Sequence, residues 1–446
     1  MDRRGFLASG AALALSPRFS FSRENPARLR LATSRQSLVG AAHPATQVWA
    51  YNGAVPGPVL RYRQGERLRI EVENALDADT TVHWHGVRLP NAMDGVPHLT
   101  QAPIAAKGGR FTYEFDLPDA GTFWYHPHLG SPEQVGRGLY GALIVEERAP
   151  PQVDRDLVWV LADWRLDREA RLVEGFGNAM DASHAGRIGN TVTVNGAIRE
   201  SFTVRAGERI RLRLINASNA RIYAPTFEGH EPRIIALDGH PLVAHRDASL
   251  VLGPGMRADL LLDCAAQPGS THRVIDGFYR QRAYELMKLQ YASEKPLRQA
   301  FAPVPRLPPN PVPEPELSSA QRHRIVFGGG MMGALPAQSR QRGLFWTVNG
   351  AAVPEHEHQH SPILNLRRGQ SYVLELVNET AWHHPIHLHG HAFRVGAAGA
   401  WGDSVLLDPK SRAEVAFVAD NPGDWMLHCH VLEHQATGMM AVVRVA

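Results

Sequence analysis

Three stretches of this chain share one hydrophobic–polar rhythm. Gly65-Glu-Arg-Leu-Arg-Ile leads to Asn74, Gly207-Glu-Arg-Ile-Arg-Leu to Asn216, and Gly369-Gln-Ser-Tyr-Val-Leu to Asn378, with nine residues from Gly to Asn each time. Apolar and polar side chains alternate in between, the pattern of a half-buried β-strand. Ahead of each stretch stands an Asn-Gly pair, at 52–53, 195–196 and 349–350. Asn-Gly suits a tight hairpin turn in which both residues take positive φ. The copies start about 150 residues apart, so each is a domain and not a solenoid unit. Short strands at regular spacing predict an all-β protein of three consecutive Greek-key β-sandwiches, over residues 29–150, 151–294 and 320–446. Residues 295–319 hold eight prolines. They read as an extended linker, expected to wrap across the outside of the second domain.

Composition narrows the class further. With 446 residues, 44% hydrophobic and 20% charged, the chain is long enough for about three folded domains. A net charge of +3 offers no broad basic footprint, which argues against nucleic acid as a partner. There are two cysteines, Cys264 and Cys429. Cys264 sits in the apolar run Leu260-Leu-Leu-Asp-Cys264 and reads as a small buried hydrophobe, so no disulfide framework is expected. At the N-terminus, Asp2-Arg3-Arg4-Gly5-Phe6-Leu7 precedes an apolar run from Ala8 to Leu15. This looks like a twin-arginine export signal within residues 1–28, too short for a stable membrane span. The expected location is periplasmic or secreted, with twin-arginine export machinery as a transient partner.

Candidate chemistry lies in the histidines. The chain has 23 in 446 residues, and a shuffled sequence would hold roughly one His-x-His pair. It has seven, at 83/85, 126/128, 356/358, 358/360, 387/389, 389/391 and 428/430. Four of them, His83/His85, His126/His128, His387/His389 and His428/His430, lie in strand-like aromatic or apolar surroundings. Alternation puts both rings of such a pair on one face. Eight imidazoles suit three coppers. Between His428 and His430 stands Cys429, which must face the other way. His434 and Met439 follow at intervals of five, giving thiolate, imidazole and thioether, the ligand set of an electron-transferring copper centre. His384 lies three residues before His387, and Pro385 bends the chain between them, so His384 can complete that site.

These four segments, at the two ends of the chain, resemble those of the multicopper oxidases, a family of laccases, cuprous oxidases and bilirubin-oxidase-like enzymes. The resemblance implies cupredoxin domains and four copper ions. It puts the type 1 copper on His384, Cys429, His434 and Met439, and the type 2 copper on His83 and His387. One type 3 copper would take His85, His126 and His430, and the other His128, His389 and His428. The middle repeat offers Gly269-Ser-Thr-His-Arg-Val where the outer two have Gly121-Thr-Phe-Trp-Tyr-His126 and Gly423-Asp-Trp-Met-Leu-His428. The second domain should therefore bind no copper and act as a spacer that helps shape the substrate face.

The implied activity is laccase-like. A small phenolic or Cu(I) reductant gives single electrons at the type 1 site, and Cys429 passes them to a cluster that reduces dioxygen to water. Protons need carboxylates. Asp94 matches the family's acid near the type 2 copper. Many bacterial relatives carry Glu immediately after the type 1 His that follows the Cys, but here that residue is Gln435. Glu433 is a second nearby acid. Two other readings stand beside the phenol oxidase: a periplasmic cuprous oxidase serving copper tolerance, and a copper-sequestering envelope protein. Met331-Met332 and Glu355-His356-Glu357-His358-Gln359-His360 bear on those, the latter as a metal-collecting loop.

Overall fold

A computed structural model describes residues 27–245, 250–335, 337–355, 357, 362–396 and 399–446. The twin-arginine segment lies outside these residues apart from its last two positions, as do His356, His358 and His360 of the His-rich loop. Each third of the chain forms two sheets. The ligand-bearing sheet of the first sandwich orders Gly57–Arg63, Gly141–Glu146, Gly121–His126, His83–His85. Its counterpart in the second orders Ser201–Val204, Tyr284–Tyr291, Thr271–Asp276, Pro225–Phe227, and in the third Leu364–Leu366, Met440–Val445, Gly423–Cys429, His384–Leu388, Ser404–Leu407. In all three the first two strands pair in parallel. Thr271–Asp276 thus occupies the place that Gly121–His126 and Gly423–Cys429 hold in the outer copies.

The repeat is built by the same local chemistry each time. Asn52, Asn195 and Asn349 take φ of 52°, 52° and 50°, followed by glycines at 78°, 73° and 78°, the double positive φ of a type I′ turn. Asn74, Asn216 and Asn378 are buried, and each Oδ1 accepts from the main-chain N–H two residues on, at 3.1, 3.0 and 2.9 Å. Each Nδ2 donates to a carbonyl on the opposite side of its loop, Ile104, Leu252 or Asp408. A side-chain amide therefore closes the end of the same strand in every copy.

The middle copy departs from the expected half-burial. Arg209–Asn216 is buried on both faces, whereas Arg67–Asn74 alternates. Its Arg211 reaches Glu147 at 2.7 and 2.9 Å, and both Arg211 and Arg213 reach Asp259. Arg213 also donates to Thr122 of the first sandwich at 2.9 Å. The polar face is covered because its charges are paired against the first sandwich, not because it is apolar.

The cores explain where the site sits. One apolar cluster runs through the first and third sandwiches, from Leu29 and Trp84 to Cys429 and Val443, while the second sandwich has its own. No strand occurs between Tyr291 and Gln321 among the described residues. That stretch packs Leu307 against Ile235, Ala236 and Leu261 of the second sandwich, and Asn310 bonds to both Ala120 and Gly239. Both cysteines are free and buried, and burial pushes the Cys264 thiol up to about 12. None of the described helices is long and apolar enough to cross a membrane.

Candidate metal centre

Strand pairing gathers the histidines. His83 lies directly opposite His126 in the first sandwich, and His387 opposite His428 in the third. The two sheets meet so that all eight rings of His83, His85, His126, His128, His387, His389, His428 and His430 are 1% exposed or less. Rings from different sandwiches stack: His83 on His389 at 3.9 Å between centroids, and His85 on His387 at 3.8 Å. Ligand-type nitrogens converge in overlapping threes, among them His83/His387/His389, His83/His85/His126 and His128/His389/His428.

The hydrogen bonds show which nitrogen each ring keeps free. The Nδ1 atoms of His83, His126, His387 and His428 lie 2.8–2.9 Å from main-chain oxygens of Asp94, Pro127, Asp403 and Cys429, and so donate to them. His389 Nδ1 donates to the Asp94 carboxylate at 2.8 Å. The opposite nitrogens, Nε2 of His83, His126, His128 and His387, are buried with no partner, as is Nδ1 of His85 and both nitrogens of His430. His389 Nε2 and His428 Nε2 face each other at 3.0 Å. Since both rings carry their proton on Nδ1, two lone pairs confront one another there. Orphaned nitrogens of this number are costly in a dry pocket unless cations lie between them. The donor set therefore fits several copper ions. Burial first, and the neighbouring rings second, hold His128, His389 and His430 well below the ordinary histidine range. Those three rings are neutral near pH 7, as ligation demands.

A second centre adjoins the first through one residue. His384 Nδ1 and His434 Nδ1 lie 3.4 and 3.7 Å from Cys429 Sγ and 3.1 Å from each other. Their far nitrogens are tied down, His384 Nε2 to Thr380 Oγ1 at 2.7 Å and His434 Nε2 to the His184 carbonyl at 2.6 Å. Both rings are thereby turned with Nδ1 inward. Trp346 packs on His434 with centroids 4.1 Å apart. Met439 is fully buried in the same core as Cys429, and its carbonyl accepts from Cys429 N at 3.0 Å. His434 is also fully buried, and the half-buried His184 and Trp382, whose ring centroids are 5.9 Å apart, lie beside it.

The carboxylates sort differently from one another. Asp94 lies under the cluster, between His389 and His83, whose Nδ1 is 3.3 Å from Oδ1. Glu433 turns to the second sandwich, where it accepts from Asn219 Nδ2 at 2.9 Å and Arg187 N at 3.1 Å. The Gln435 amide comes 3.4 Å from His128 Nδ1. Sequence reasoning missed Asp403, whose Oδ1 is 3.2 Å from His85 Nε2 and 3.3 Å from His387 Nδ1. Its one signal is an acid directly before the strand Ser404–Leu407, whose last three residues are apolar.

A sulfur–imidazole donor set and an imidazole cluster that adjoin through a single Cys suit copper, and the class they point to is that of the copper-dependent oxidases. Comparison with known proteins agrees. Multicopper oxidase family models match residues 33–150, 155–287 and 335–446. A multi-copper oxidase from Pseudomonas thermotolerans has 38% identity and a TM-score of 0.85, over 95% of this chain and 99% of that one. The multicopper oxidase MmcO of Mycobacterium tuberculosis is 29% identical over 91% of this chain and 85% of its own length. Laccase-1 of Botryotinia fuckeliana is 29% identical over 87% and 77%. The chain belongs to the multicopper oxidase family, and it is an oxidase of three cupredoxin-like sandwiches.

Proposed function

We propose that this enzyme is a laccase-like phenol oxidase that passes four electrons from its reductant, with four protons, to dioxygen and gives two waters. Four copper ions, one at the sulfur site and three among the eight imidazoles, would supply the electron transfer and dioxygen reduction. The observation that carries this reading is the set of inward-facing, unpartnered imidazole nitrogens beside Cys429. His384, Cys429, His434 and Met439 would hold the type 1 ion. His83 and His387 would hold type 2, and His85/His126/His430 with His128/His389/His428 the type 3 pair. Cys429 links the centres twice, through its chain neighbours and through its carbonyl, which accepts from His428 Nδ1 at 2.9 Å. Asp94, in contact with two cluster rings, holds a proton-accepting carboxylate where water forms. Glu433 is placed to steady the loop carrying His434 against Arg187.

The half-buried rings of His184 and Trp382 beside His434 suit a flat aromatic donor, and likeness to a laccase points the same way. One observation favours Cu(I) as an alternative donor. Met331 and Met332 are 48% and 79% exposed, and Met331 N donates to Ser183 O, one residue from His184. Met180, 64% exposed, lies in the same short helix as Ser183. Soft thioethers in water beside the electron entry suit Cu(I). Oxygen uptake by copper-loaded protein, with a phenol or with Cu(I) as sole reductant, tests both. Uptake with the phenol is expected; uptake with Cu(I) alone transfers the assignment to cuprous oxidase, and copper binding without any uptake leaves sequestration. Export by the twin-arginine route completes the proposal, and Arg3→Lys with Arg4→Lys should leave the precursor inside the cell.

A further inference from the structure

The second sandwich supplies no ligand, yet one of its arginines reaches the base of the cluster. Arg257 opens the strand Arg257–Asp263, is fully buried, and donates to both oxygens of Asp403 at 2.8 and 2.6 Å. Asp403, in the third sandwich, also accepts from Ser404 Oγ at 2.9 Å and touches His85 and His387 as described. Those two rings come from different sandwiches, stack with planes 15° apart, and leave opposite nitrogens free, Nδ1 in His85 and Nε2 in His387. One residue thus orients both, His85 through its carboxylate and His387 through its main-chain oxygen at 2.8 Å, with the carboxylate 3.3 Å away.

The guanidinium is itself immobilised. It donates to the Thr122 carbonyl of the first sandwich at 3.1 Å and to the Gly255 carbonyl at 3.2 Å, with Asp238 Oδ1 at 3.3 Å. Space around the pair is tight. Gly86, next to His85, has φ +85°, and a Cβ there would lie 2.3 Å from Arg257 Nη2 and 2.5 Å from Asp403. The turn after the ligand is glycine because the ion pair fills that place.

We infer that Arg257 is a positioning residue for the copper cluster, holding Asp403 in place so that its carboxylate sets which nitrogen His85 presents and its main chain sets His387. The inference rests on the copper-oxidase reading, and it makes the ligand-free sandwich a working part of the dioxygen site. The physical reason is geometric. A planar two-pronged donor fixes the carboxylate plane, which a lysine ammonium cannot do. Without it the carboxylate would be held only by Ser404 Oγ and the neighbouring imidazoles, and the His85 N–H would follow it out of position.

The test uses the full chain, loaded with copper, as wild type, Arg257→Lys, Arg257→Met and the isosteric Asp403→Asn. Copper per chain, the visible thiolate-to-copper absorption and the electron paramagnetic resonance of type 2 copper are measured. Arg257→Met and Asp403→Asn should keep the thiolate absorption while cluster copper affinity falls about 10- to 100-fold and the type 2 resonance shifts. Arg257→Lys should fall between them and wild type. Full copper content with a wild-type resonance in Asp403→Asn overturns the inference, and that variant decides even where Arg257→Met does not fold. Wild-type protein that takes up no cluster copper would instead overturn the functional reading.

Discussion

Replacing Asp94 by Asn alters one group while keeping its shape. In the native structure the carboxylate accepts from His389 Nδ1 at 2.8 Å, whereas His83 Nδ1 donates to the Asp94 main-chain oxygen, also at 2.8 Å. The substitution therefore weakens one charge-assisted hydrogen bond and leaves the second ring's main anchor in place. Such a bond contributes about 1.5–3 kcal/mol. If that difference falls on the dioxygen step, the rate drops roughly 10- to 150-fold. Stopped flow separates the halves of the cycle. Anaerobic bleaching of the thiolate absorption by a phenol should keep its wild-type rate, because the sulfur site does not touch Asp94. Reoxidation of the reduced enzyme by dioxygen should slow by that factor, with copper content checked on the same sample. Reoxidation at the wild-type rate, or slowing confined to the bleaching step, refutes the assignment of Asp94 to the cluster's proton chemistry.

Three further outcomes are expected. Met439→Leu removes a weak thioether donor from a fully buried position, so the type 1 potential should rise while the blue colour stays; a redox titration with no rise denies Met439 its axial role. Gln435→Glu places a carboxylate beside His128, and turnover with dioxygen should increase about threefold or more toward alkaline pH, where protons are scarce; an oxygen-electrode pH profile decides. Copper-free protein should be acid-labile. Burial lowers His434 from 6.5 to about 3, so the unfolded chain takes up the proton first. Stability is then fully present above pH 6.5 and lost as pH falls toward 3. Calorimetry of copper-free protein across that window should show a melting temperature that falls with pH, and a flat profile would contradict the neutral buried ring.

The repeat, the all-β class and the shared face of each His-x-His pair were legible because each depends on local periodicity, whereas the meeting of the four pairs was expected from the family resemblance. Alternation puts His83 and His85 on one face whatever the rest of the chain does, and Asn-Gly takes its positive φ from two residues alone. What stayed hidden depends on contacts between distant segments. Glu433 and Gln435 are neighbours in one short helix, yet Glu433 turns to Asn219 and Gln435 to His128, a choice fixed by which sandwich packs on each side. Asp403 carries no motif at all, since it earns its place through Arg257, 146 residues away in the chain.

The second sandwich is where the gap between pattern and structure matters most for function. Read locally, Arg209–Asn216 is a half-exposed strand and its domain a spacer. In place, Arg211, Arg213 and Arg257 lie on neighbouring strands and turn toward the other sandwiches, meeting Glu147, Thr122 and Asp403. Buried ion pairs add little net stability over an apolar packing, but each misplaced one is costly, so they favour a single arrangement of the sandwiches. A histidine cluster shared by the two ends of a chain requires that arrangement. The charged face of the middle domain is thus better explained by register than by stability, and an apolar spacer of equal size could hold the chain together without aligning its ligands.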